Sequence, residues 1–381
     1  MRLSLRPKKL LSSISNLPGW RTNRRIVVIE SDDWGAVRMS SNKAFHQLVK
    51  KGYPVDSCPY NRNDSLESND DLMYLFQVLD QVRDINGKPP VITANNIVAN
   101  PDFTRIKESG YSSYFHEPFT KTLERYPAHD QVLTLYRQGM KAGFIQPQFH
   151  GREHLNVARW MEALQRNDTP VRTVFDLEMY SPHVSDHPVY KMEYMDAFNF
   201  IQESELSNLA VIIQQGLDLF YDIWGFKSKS FIAPCYIWGK ELEAQLSNNG
   251  ISYIQGIRNQ FQPILGSTQD TRNVYHYLGE RNRHNQRYLV RNAFFEPSIN
   301  PDVDWVSECL KRISSAFAWK KPAIIGSHRL NFMGQLNPKN REENLLLLSK
   351  LLKKIKENWP DVEFMSSDEL GIEIDKINLE K

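Results

Sequence analysis

The chain is predicted to fold as an α/β protein, a single distorted (β/α)7-type barrel, and three observations carry that prediction. Short β-branched runs alternate with longer helical patterns from Arg25 onward, about seven or eight such strand-then-helix units follow one another, and no Gly/Ser-rich or Pro-rich linker separates them. Repeated strand–helix order implies a parallel sheet with helical crossovers. Length does not decide between one domain and two, because α/β barrels routinely run past about 250 residues as one unit. The absent linker argues for one barrel domain, 25–381, behind a basic segment, 1–24.

The elements follow in order. The first 25 residues carry seven Lys or Arg and no acid, with Leu10, Leu11, Ile14 and Leu17 at helical spacing. That pattern allows a short basic amphipathic helix resting weakly on anionic lipid, but it favours a terminal helix docked on its own domain. Strands are expected at Ile26–Ile29, Val91–Ala94, Phe144–Gln148, Val171–Phe175, Ser230–Ala233, Ser252–Gln255, Ala323–Gly326 and Val362–Met365. Ser68 with Asp71 three residues on opens a helix that Gly87 follows. Further helices are expected at Ala128–Ala142, Asn156–Arg166, Ser207–Trp224, Lys240–Asn248, Asp302–Phe317 and Arg341–Asn358. The irregular stretches 53–67, 96–126, 176–205 and 257–300 follow strand ends, on the face of a βα barrel where catalytic groups and substrate walls gather.

Composition narrows the function classes. A net charge of +2, with no basic stripe beyond the N-terminus, argues against a nucleic-acid binder. Cys58, Cys235 and Cys309 are odd in number and lack C-x-x-C spacing, so neither a disulfide framework nor a thiolate metal site is indicated. No apolar run reaches the roughly 18 residues of a membrane span, and Leu10-Leu11-Ser12-Ser13-Ile14-Ser15 is too polar for a signal-peptide core. A cytoplasmic protein is expected.

Three motifs stand at strand ends. Asp32-Asp33-Trp34-Gly35 closes the first strand, so one carboxylate could bind a cation while its neighbour takes a proton from water; Asp at a strand end also serves as a helix N-cap or turn former. His150 and His154 follow the Phe144 strand, and on a helical first turn an i, i+4 pair projects two ring nitrogens to one side, as zinc-type sites require. His328 follows Pro322–Gly326, where it could protonate a leaving group or simply face the core.

With these motifs in this order, the chain resembles the NodB-type polysaccharide deacetylases, carbohydrate esterase family four. That family has a Thr-Phe-Asp-Asp motif after strand one, then His-Ser/Thr-x-x-His, Arg-x-Pro-Tyr and a late Leu-x-His, on a distorted (β/α)7 barrel. The matching segments are Glu30-Ser31-Asp32-Asp33, His150-Gly151-Arg152-Glu153-His154, Ile232-Ala233-Pro234-Cys235 and Gly326-Ser327-His328. The resemblance implies that Asp33, His150 and His154 hold one divalent metal, zinc first among the first-row cations, and that Asp32 is the general base and His328 the general acid. It further implies an oxyanion site at the metal and the Cys235 backbone N–H, and an N- or O-acetylated sugar or glycan as substrate. Ile232 stands where the family has the Arg that orients the base, Gly151 replaces Ser or Thr, and Gly326 replaces Leu. The sequence assigns no clear partner for the missing Arg, although Arg291-Asn292, ahead of Phe295-Glu296-Pro297, could fill that region from another strand end.

Trp34, Tyr236 and Trp238 are candidate sugar-stacking residues, and aromatics this common are also core material. Arg291 and Glu296 are candidate substrate ligands, with a solvated loop charge the favoured reading of Glu296. Two competing readings stay open: a glycosidase on a similar barrel using Asp33 and Glu296 without metal, and an inactive glycan-binding protein, for which the missing Arg speaks.

Overall fold

A computed structural model describes residues 18–185 and 192–376; the helical pattern from Leu10 to Leu17 lies outside them. The strands run β1 (Arg25–Trp34), β2 (Ile92–Ile97), β3 (Ala99–Pro101), β4 (His116–Pro118), β5 (Ile145–Gly151), β6 (Ser230–Ile232), β7 (Tyr253–Gly256), β8 (Asn259–Pro263), β9 (Thr271–Tyr275), β10 (Arg287–Val290), β11 (Ala293–Phe294), β12 (Ala323–His328) and β13 (Val362–Met365). Nine of them form one curled sheet in the order β10-β7-β6-β5-β2-β1-β12-β11, with β13 beside the first half of β1, and every pairing in it is parallel. β3–β4 and β8–β9 are separate antiparallel hairpins.

The two edges of the curled sheet meet in one extended segment. The Arg291 N–H donates to Gly256 O of β7 at 2.8 Å, and the next residue, Asn292, donates to Ile324 O of β12 at 3.0 Å. Because parallel strands all point one way, the C-terminal ends of β1, β5, β6 and β12 share one rim.

The period-2 alternation of β1 sorts its residues between two environments. Val27 and Ile29 pack outward with Leu72, Leu75, Leu348 and Leu352 of the helices Asn69–Leu79 and Pro338–Asn358. Ile26 and Val28 cluster instead with Leu289, Ile324, and Leu370 and Ile374 of the final helix. The same inner face continues upward into Glu30 and Asp32, so the lumen passes from apolar at its base to ionised at its rim. Glu30 accepts from Ser367 Oγ at 2.7 Å within a polar layer that includes Thr93 and Gln255.

Several expectations are corrected. Val171–Phe175 is helical, in Thr169–Phe175: Asp168 caps the N-terminus through the Val171 N–H, Pro170 sits in the first turn, and Val171, Val174 and Phe175 have the i, i+3, i+4 spacing of a buried helix face. The segment at 287–294, expected as irregular, is the closing strand pair. The helix opened by the Ser68–Asp71 capping box ends at Leu79, well before Gly87. Beyond it, the Asp84 carboxylate accepts the backbone N–H groups of Asn86, Lys88 and Phe364, tying the turn to β13. Residues 18–24 lie on the barrel: Lys321 Nζ donates to Pro18 O and Trp20 O at 2.7 Å each, and Arg24 pairs with Glu363 and Glu373. No helix among the described residues is long and apolar enough to cross a membrane.

Candidate metal centre and active site

In a regular strand Asp32 and Asp33 would point to opposite faces. The register of β1 against β2 slips between Ser31 and Trp34, and Asp33 adopts φ 76°, a left-handed conformation that Asp tolerates better than most residues. Both carboxylates consequently line one cavity of about 430 Å³. Gly35 completes the turn at φ 83°, where a Cβ would lie 2.2 Å from Ile97 O. Trp34 does not face a ligand. It is fully buried, donates to Ser31 Oγ at 3.0 Å and packs edge-on against Tyr136, which removes it from the sugar-stacking candidates.

His150 and His154 are brought together by a strand end, and the helical first turn expected for them is corrected. His150 belongs to β5, opposite a second register slip, and His154 lies in the bend beyond it. Gly151 between them has φ 148°, a value that explains glycine in place of Ser or Thr. Asp33 Oδ1 is 3.4 Å from His150 Nε2 and 3.2 Å from His154 Nε2, and one ligand atom from each residue falls within 4.8 Å of the others. His150 Nδ1 donates to Ile232 O at 2.8 Å, which fixes the ring with Nε2 directed toward Asp33. Burial lowers the His154 imidazole, favouring its neutral, ligating form. Burial alone would raise the Asp33 carboxyl, but hydrogen bonds with both imidazoles hold it well below the usual carboxylate range. A buried, convergent set of one carboxylate oxygen and two imidazole nitrogens, open to a cavity, fits a first-row divalent cation.

Asp32 is held differently. It accepts from Arg291 Nη1 and Nη2 at 2.7 Å each and from Asn95 Nδ2 at 2.7 Å. Burial would raise its carboxyl; the Arg291 guanidinium overrides this and holds it at about 2. Arg291 also donates to Glu30 at 2.6 Å and to the Tyr236 hydroxyl at 2.9 Å, so it is a buried partner of Asp32 and not the substrate ligand considered above. It reaches Asp32 from the sheet's closing segment, which supplies the guanidinium that Ile232 cannot. A Cβ on Gly326 would sit 2.7 Å from Arg291 Cδ, so glycine at that position makes room for the relocated arginine.

His328, at the end of β12, completes the cavity wall. Its Nδ1 donates to Glu296 Oε1 at 2.7 Å, and its Nε2 lies 3.9 Å from Asp32 Oδ2. Burial alone would lower the imidazole; the Glu296 carboxylate raises it, to about 10 overall. Glu296 is thus neither a solvated loop charge nor a free substrate ligand: its second oxygen accepts from Asn331 Nδ2 at 2.8 Å. Cys235 and Tyr236 line the cavity with φ 56° and 58°. Trp238 does not line it; it is buried and stacked on His276, and is withdrawn as a sugar platform. Arg38, Tyr60, Asn95 and Glu193 were not anticipated from sequence. Arg38 alone had a local signal, being a cation three residues past Gly35, whereas the others stand in or beside irregular stretches.

No protein-family model matches the chain, and no curated protein matches it. Among solved structures it is similar to a 4-alpha-glucanotransferase from Thermococcus litoralis, with 11% identity over 91% of this chain and 40% of that one at a TM-score of 0.44. The chain therefore spans well under half of that protein. It is similar to a Mycobacterium smegmatis protein assigned as a polysaccharide deacetylase, with 10% identity over 95% of this chain and 94% of that one at a TM-score of 0.46. It is also similar to a family 4 carbohydrate esterase from Streptomyces lividans in complex with acetate, with 10% identity over 92% and 96% at a TM-score of 0.37. The chemistry of the site rests on its own residues.

Proposed function

We propose that this protein is a metal-dependent hydrolase that removes an acetyl group from an N- or O-acetylated sugar or glycan. The observation that carries the reading is the convergence of Asp33, His150 and His154 with Asp32 and His328 in one cavity. Asp33, His150 and His154 would hold the cation, and zinc suits one carboxylate with two imidazoles. When bound, the cation supplies Lewis acidity, polarising an acyl carbonyl and acidifying water.

The chain's own groups divide the remaining work. Asp32 stays ionised, and among the described residues the one hydrogen bond to its Oδ2 comes from Arg291 Nη1, which leaves a lone pair to accept a proton from the attacking water. His328 has its Nδ1 proton committed to Glu296, so Nε2 carries the proton available to the departing amine or alkoxide. The Cys235 backbone N–H is the proposed oxyanion donor, and Tyr236 the proposed sugar wall. The glycosidase reading loses support because both Glu296 oxygens are engaged behind His328. The inactive-protein reading rested on a missing arginine, and the Arg291–Asp32 pair counters it. Three free thiols, Cys58, Cys235 and Cys309, suit a reducing compartment, and the cytoplasm is the proposed location.

Elemental analysis and an acetate-release assay test this directly. His154→Ala should lose most of its metal while remaining folded; Asp32→Asn should keep metal and lose roughly 10²-fold or more in turnover on an acetylated sugar. Full metal occupancy in His154→Ala would remove the ligand assignment, and a metal-loaded wild type that releases no acetate would leave glycan binding as the better reading.

A further inference from the structure

The cavity contains a cation that the proposed reaction does not use. Arg38 lines it; Asp33, Asp64 and Glu193 act on it through space, but among the described residues none of them forms a direct ion pair with its guanidinium. Its Nη1 is 3.0 Å from Met195 Sδ, a weak acceptor, and its Nε is buried without any hydrogen-bond partner. Two fully buried guanidiniums near the site differ: Arg291 is shared by Glu30 and Asp32, and Arg329 by Asp64 and Glu67. Arg38 also sits 5.2 Å from the ring centre of Tyr60, whose ring packs edge-on against His328 at 5.5 Å. The unpaired guanidinium is therefore one aromatic ring away from the proton donor.

Arg38 is half-buried, and burying its Nε–H without an acceptor is costly; an acceptor arriving with the ligand relieves that cost. Arginine's planar fork matches carboxylate and phosphate oxygens in particular. We propose that Arg38 forms an anion subsite and that the substrate is an acetylated sugar bearing a carboxylate or phosphate, seated with that group on Arg38. This rests on the deacetylase reading for the acetyl group and on Arg38's own surroundings for the anion.

The test uses the metal-loaded full chain and three probes: N-acetylglucosamine, N-acetylglucosamine 1-phosphate and N-acetylmuramic acid. Calorimetric titration of wild type should show at least one charged sugar binding about 10-fold or more tighter than the neutral one, a preference that weakens with added salt. The charged sugar that gains more identifies phosphate or carboxylate as the preferred group. In Arg38→Gln the preference should shrink to within about two-fold, and Arg38→Lys, which keeps the charge without the fork, should restore part of it. Equal binding of charged and neutral sugars by wild type overturns the subsite. So does a preference that survives in Arg38→Gln, because it puts the anion on the metal. Acetate release is scored separately: an Arg38-dependent preference without turnover keeps the subsite and sinks the deacetylase reading. Equal turnover of charged and neutral sugars, unchanged in ratio by Arg38→Gln, does the reverse.

Discussion

Replacing Arg291 with Met keeps the length of the side chain and removes the one cation between two buried carboxylates. In wild type the guanidinium donates to Glu30 at 2.6 Å and to both oxygens of Asp32 at 2.7 Å. Asp32 by itself, lowered from an ordinary 3.8 to about 2, represents about 2.5 kcal/mol of linkage. Its sign is that of a depressed carboxyl: the stabilisation is present at neutral pH and is lost as pH falls through about 2. Glu30 loses its cationic partner as well, keeping only the Ser367 hydroxyl, so the expected cost is about 3–5 kcal/mol, the range for breaking a buried pair from one side. An unfolding entropy of about 2.1 cal/mol/K per residue over 381 residues gives about 0.8 kcal/mol per degree, so the thermal midpoint should fall by roughly 4–6 °C. With Arg291 gone, only the weaker pull of His328 and His150 opposes burial, so the Asp32 carboxyl moves up and the acid limb of the rate profile should shift to higher pH as turnover drops. Arg291→Lys, a point charge without the fork, should recover part of both effects. Scanning calorimetry at neutral pH and a pH–rate profile on metal-loaded protein measure them. A midpoint within about 1 °C of wild type together with an unmoved acid limb would refute the reasoning.

Three other outcomes are expected. Glu296→Gln removes the carboxylate that holds the His328 imidazolium, so the alkaline limb of the rate profile should move down by about 1–2 pH units with the acid limb unchanged. The direction follows from a raised imidazole, whose charged form is complete below its ordinary value and is lost as pH climbs toward about 10; a limb that stays put would remove His328 as the proton donor. Trp34→Phe should cost about 1–2 kcal/mol in stability through the lost Ser31 hydrogen bond and leave KM for any acetylated sugar within about two-fold, since the ring is buried; a large rise in KM would return Trp34 to the substrate wall. Arg329→Met leaves Asp64 and Glu67 buried and unpaired, so denaturation should show a loss of about 3–5 kcal/mol while metal content stays at wild-type level; loss of metal at unchanged stability would contradict a purely structural role.

What the sequence determined by itself is the part written in local spacing. The alternation Ile26, Val28, Glu30, Asp32 reads as one face of a strand within seven residues of chain. The acidic pair, His150, His154 and His328 each follow an apolar run, and parallel topology then places strand ends on one rim without further information. What only the tertiary structure decided depends on partners far away in sequence. Arg291 and Asp32 are 259 positions apart and meet because the sheet closes through residues 291 and 292, which no local pattern marks. The same holds for Glu296 behind His328 and for Arg38 beside Tyr60. Trp34 and Trp238 stayed open between cavity wall and core, and Val171–Phe175 was misread as a strand, for the complementary reason: aromatic or β-branched composition states that a side chain is apolar, while the surface it packs against decides whether it lines a cavity, fills a core or turns with a helix.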